Sequence, residues 1–76
     1  MSIPRSLYPI IGANLSAARQ SLDLTIDEVA RRMRLSTEII VAVERGDLRP
    51  SPMELQIWCR MVCLPVHAVF QKPALQ

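Results

Sequence analysis

The stretch LDLTIDEVARRMRLSTEIIVAVERGDLRP, Leu22 to Pro50, decides the fold. Within it Thr25-Ile26-Asp27-Glu28 reads as a capping box: the threonine oxygen accepts from the third amide of a new helix while the glutamate reaches back to the cap. Val29, Ala30 and Met33 then fall on the inward face of that helix. A break at Arg34-Leu35 precedes Ser36, a good N-cap for a next helix of Thr37 to about Glu44, and Gly46 supplies the positive φ at which that helix ends. Ala30 is small where these two helices cross, because a larger side chain would overpack the crossing.

Periodicity extends helical structure to both sides. Before the block, Ile11, Leu15, Ala18 and Leu22 form one stripe of a helix from about Ile10 to Leu22, with Asn14, Ser16, Gln20 and Ser21 off it. After it, Ser51-Pro52-Met53-Glu54 repeats the capping box with proline at the first helical position, opening a helix whose stripe is Leu55, Trp58, Cys59 and Val62. Pro65 biases its predecessor away from helix, so this one stops near Cys63-Leu64, and a last short helix is expected over Pro65 to Phe70. No strand alternation, internal repeat or low-complexity run is present. The expectation is an all-α, five-helix domain over residues 10–70, with residues 1–9 as an N-terminal arm and 71–76 as a tail that frays.

Composition excludes several function classes. Of 76 residues, 50% are hydrophobic and 21% charged, which suits one compact domain rather than a disordered chain. The longest unbroken apolar run is Ile39 to Val43, far below the roughly 20 residues that span a bilayer. The start carries one basic residue and no apolar stretch of signal-peptide length, so the expected location is the cytoplasm, without a membrane. A single histidine, His67, stands with no carboxylate or nucleophile beside it in sequence, and its expected role is at the surface or in packing. Cys59 and Cys63 lie four residues apart on one helix face with no second pair to complete a metal site, so both are expected to be small core residues. No enzyme activity, cofactor or metal is expected. The net charge of +2 is mild, although eight of the nine basic residues are arginine. Any nucleic-acid function must then rest on where the arginines sit, and Arg31, Arg32 and Arg34 are the one basic cluster.

Two short helices separated by about three residues have the geometry of a helix-turn-helix. Leu24 to Ala30, Leu35-Ser36, Val43-Glu44-Arg45-Gly46 and Arg49-Pro50-Ser51 together resemble the phage-repressor (Cro/Xre-type) helix-turn-helix DNA-binding family, over roughly residues 10 to 70. The resemblance implies a lambda-repressor-like fold and an ion pair between Arg19 and Glu44. It further implies a transcriptional regulator acting as a homodimer on a double-stranded operator, the helix at 37–44 lying in the major groove. Thr37, Glu38, Val41 and Ala42 would then face bases, and Arg31, Arg32, Arg34, Ser36 and Arg45 would hold phosphates. Leu64, Val66, Val69 and Phe70 would suit the dimer contact. This chain departs from the family where a phosphate-binding glutamine is common, at Ile26, and where the turn often carries glycine, at Arg34.

Blander readings stand beside these. The arginine cluster could be a solvated helix face, and Glu38 could stabilise a positive helix N-terminus instead of reading cytosine. Residues 26–50 hold five arginines and five acids, so attraction to phosphate must be local. With few polar readers on the helix, an apolar face of Ile39, Val41 and Ala42 could instead bind a protein partner, as in an antiactivator or adaptor.

Overall fold

A computed structural model describes residues 3–72. Among them the chain forms four α-helices, α1 (Tyr8–Ser21), α2 (Ile26–Met33), α3 (Thr37–Arg45) and α4 (Pro52–Met61), with 3-10 segments at Arg5–Leu7 and Val66–Phe70. The all-α expectation stands, but the fifth helix is 3-10 rather than α. It follows Pro65 and is only five residues long, too short to offset the cost of an α-helical nucleus. Its end is held from outside: Asn14 Nδ2 donates to Val69 O at 2.8 Å and to the carbonyl just beyond the segment, Gln71 O, at 2.7 Å. Asn14 thus ties down the start of the tail, where a free end was expected; residues 73–76 of that tail and 1–2 of the arm lie outside the described residues.

The helix starts follow their local signals. Thr25 accepts from the Glu28 amide at 3.0 Å while Glu28 accepts from the Thr25 amide at 2.9 Å. Ser51 and Glu54 do the same for α4, and Ser36 Oγ caps α3 through the Ile39 amide. These bonds hold the Glu28 carboxyl below its ordinary range, with the arginines at the end of α2 adding to the effect.

The helix ends share one device. Each of the four helices is followed by a left-handed residue, Asp23 (φ 56°), Arg34 (59°), Gly46 (85°) and Cys63 (58°). The next amide then reaches back to a helix carbonyl beyond the last turn: Leu24 to Arg19, Leu35 to Ala30, Asp47 to Ala42, Leu64 to Cys59. Leu24, Leu35 and Leu64 also pack against the core, the apolar contact that accompanies this cap. Cys63 therefore leaves the helix and is exposed, not the core residue expected, whereas Cys59 is buried and desolvation pushes its thiol pKa up.

The core is Ile11, Leu15, Val29, Ala30, Ile40, Val43, Leu55, Trp58, Cys59, Val62 and Val69. Leu22, expected on the inward stripe of the first helix, is 44% exposed because α1 ends at Ser21. Gly12, by contrast, is buried. A Cβ there would sit 2.6 Å from the Glu44 carbonyl oxygen and closer still to that of Val43, so α1 and α3 touch backbone to backbone. Beside this contact Arg19 and Glu44 pair through two hydrogen bonds, Nε to Oε2 at 2.8 Å and Nη2 to Oε1 at 3.2 Å. Nη1 donates to Leu24 O at 2.8 Å, which joins the ion pair to the turn that starts α2. Val69 is fully buried in this same core, so it is withdrawn from the expected dimer contact. No helix among the described residues is long and apolar enough to cross a membrane.

Candidate nucleic-acid interface

The buried positions of α3, Ile40 and Val43, fix its rotation, and helical spacing then sends the intervening residues outward. Thr37, Glu38, Val41, Ala42 and Arg45, with Asp47, line one groove of 340 Å³. All four residues expected to face bases are therefore brought together, with Arg45 beside them. Thr37 and Glu38 are exposed and linked, Thr37 Oγ1 donating to Glu38 Oε1 at 3.2 Å, which holds the carboxylate at the lip of the groove. Val41 and Ala42 are half-buried and make its apolar floor. Ile39 packs against the core, so the apolar face expected on this helix narrows to Val41 and Ala42.

Arg31, Arg32 and Arg34 do not line this groove. They sit at the last turn of α2 and in the tight turn that leads into α3, and Arg31 and Arg32 are exposed, as is Ser36. Arg34 is exposed too and takes the left-handed position itself, the place where glycine costs nothing. The block's charge balance is no longer neutral in space. Glu44 is neutralised by Arg19 from α1, which leaves five arginines against four acids over residues 26–50. Among the described residues, none of those five arginines is within ion-pairing distance of a carboxylate.

A second groove, of 610 Å³, adjoins the first and shares Asp47 with it. Its other walls are Arg5, Tyr8, Gly46, Leu48 and Arg49. Sequence reasoning missed it because Arg5 and Arg49 are far apart in the chain. Pro9 and the glycine at 46 are the available signal, since a Cβ on Gly46 would lie 2.6 Å from Pro9 Cα. The remaining residues expected at a dimer contact divide: Val66 is 42% exposed, and Leu64 and Phe70 are half-buried. No group of three or more metal-ligating side chains occurs among the described residues.

Comparison with solved structures finds a crystal structure of the DNA-binding domain of BldD. It is 21% identical in sequence, with a TM-score of 0.76 over 91% of this chain and all of that one. At this identity the likeness extends to the fold alone. No curated protein sequence matches the chain. A family model described as a helix-turn-helix domain matches residues 14–55, from the middle of α1 into α4 and so across both helices of the motif and the turn between them. That span exceeds half of the chain, and the protein belongs to the helix-turn-helix domain family.

Proposed function

We propose that the protein is a sequence-specific DNA-binding transcriptional regulator of the phage-repressor type, whose α3 enters the major groove. The observation that carries this reading is the groove on α3, which Thr37, Glu38, Val41 and Ala42 line together with Arg45, an arginine free of a carboxylate partner among the described residues. Glu38 accepts from a cytosine amino group and Val41 meets a thymine methyl, while Thr37 and Ala42 fill the space between. Arg31, Arg32, Arg34, Ser36 and Arg45 hold phosphates on the flanking backbone. Two copies occupy two half-sites of one operator, joined through Leu64, Val66 and Phe70. The likeness to BldD supports this reading, since the matching part of that protein is described as a DNA-binding domain.

The test is binding of the purified protein to DNA upstream of its own gene, by mobility shift against unrelated competitor DNA at two salt concentrations. Saturable binding that resists competitor is expected. In Glu38→Ala, discrimination at one base position should fall by the roughly 1 to 3 kcal/mol that a good base contact supplies, with other positions unchanged. Binding that is absent, or that unrelated DNA competes equally and salt abolishes, would overturn the reading and favour a protein partner docked on Val41 and Ala42.

A further inference from the structure

We infer that Arg5, Tyr8 and Arg49 form a second phosphodiester-holding site, which grips the DNA strand at the opposite end of α3 from the Arg31, Arg32 and Arg34 cluster. This inference rests on the DNA-binding reading above and adds to it a contact surface outside the two helices of the motif. Arg5 and Arg49 are exposed, Tyr8 is half-buried, and all three line the groove beside Gly46. What brings them together is the missing side chain of Gly46, which lets Pro9 pack on the turn after α3 and so carries the Arg5–Leu7 segment to Arg49.

The chemistry of this groove is that of a phosphate site. Two guanidinium groups supply paired donors, and the phenol of Tyr8 supplies a further O–H. Neither arginine is engaged by a carboxylate among the described residues, and the backbone amides of Leu48 and Arg49 have no carbonyl partner there. Asp47 on the shared wall is the one opposing charge, so the groove carries two positive groups against one negative. Duplex DNA fits better than a small anion because of position. The nine residues of α3 span about 13 Å, and the major groove is about 12 Å wide. Basic groups beyond both ends of α3 therefore match the two strands that border the groove, while a free anion would need only one end.

The test uses the whole chain and a duplex that the wild type binds, with affinity read by fluorescence anisotropy from low to moderate salt. The double variant Arg5→Gln, Arg49→Gln should weaken binding to every sequence alike and flatten the plot of log affinity against log salt by about 2, or about 0.9 for each phosphate no longer neutralised. Tyr8→Phe should weaken binding without changing that slope, and Asp47→Asn should tighten it. All four positions are at least partly open to solvent, and thermal melts would verify that each variant is folded. If the wild type binds DNA and the double variant keeps its affinity and slope, the inference is wrong while the DNA-binding reading survives. If the wild type binds no duplex, both fall. A titration with inorganic phosphate then identifies a small-anion site instead, should it shift the Leu48 and Arg49 amide resonances in the wild type and not in the double variant.

Discussion

Arg34 is asked to do two things that conflict. It holds a left-handed conformation at φ 59°, which costs a non-glycine residue about 1 to 2 kcal/mol, and it sits at the surface beside the helix proposed to read DNA. Arg34→Gly should relieve that strain. Part of the gain is offset because glycine has more freedom in the unfolded chain, so the net stabilisation should be about 0.5 to 1 kcal/mol in urea unfolding. The same variant should bind DNA more weakly, since it removes a group that holds phosphate. A gain in stability with unchanged binding would mark Arg34 as a mere turn residue. Gly12 shows the opposite balance. Alanine would favour helix by about 1 kcal/mol, but its Cβ would meet two carbonyl oxygens of α3, backbone that cannot move aside as a side chain tip could. Overpacking of this kind costs up to about 3 kcal/mol, so Gly12→Ala should destabilise by about 2 kcal/mol net. A neutral result in the same assay would mean that α1 and α3 do not cross this closely.

Among the elements, the ones legible in the sequence are those whose signals are local. Thr25 and Glu28, or Ser51 and Glu54, are three residues apart, and the bonds they make depend on nothing else. The outward residues of α3 follow as directly, because once Ile40 and Val43 are inward the helix has only one way to face. What cannot be read is what the chain brings from a distance. Asn14 reaches carbonyls 55 and 57 residues away, and the groove of Arg5, Tyr8 and Arg49 depends on the close approach of Pro9 to Gly46. The burial of Val69, against the expectation of a dimer contact, has a related cause: in a five-residue 3-10 segment the facing of a side chain follows from tertiary packing, not from a period. The local signals can be tested alone. Glu28 has a depressed pKa in the folded chain, so its contribution is fully present above its ordinary value of 4.5 and is lost as pH falls through the lower folded value. Protection of the Thr25 amide, its exchange rate relative to the unstructured chain at the same pH, should therefore fall as the solution is acidified through that window. Glu28→Gln keeps an acceptor oxygen but cannot titrate, and should show no such pH dependence; equal behaviour of the two proteins would remove the carboxylate from the cap.

For the whole molecule, size and surface together constrain how two copies could share one operator. The described residues measure 29 × 27 × 19 Å, so two copies side by side set their α3 helices about 30 Å apart, close to the roughly 34 Å of one DNA turn. The contact expected from the sequence to join them is small. With Val69 buried, only Leu64, Val66 and Phe70 remain, well short of the roughly 800 Å² per partner that a stable interface covers. Pairing should then depend on the DNA, which supplies a common surface and raises the local concentration of the second copy. Sedimentation at micromolar concentration is expected to give a single 8.6 kDa chain without DNA and two chains on a duplex with half-sites one turn apart. Inserting about half a helical turn of base pairs between the half-sites turns them to opposite faces of the duplex, and the second copy should then bind as weakly as to an isolated half-site. Cooperativity that survives the insertion would show that the copies are joined by something other than side-by-side contact, and a stable dimer in the absence of DNA would mean that the pairing surface is larger than these three residues.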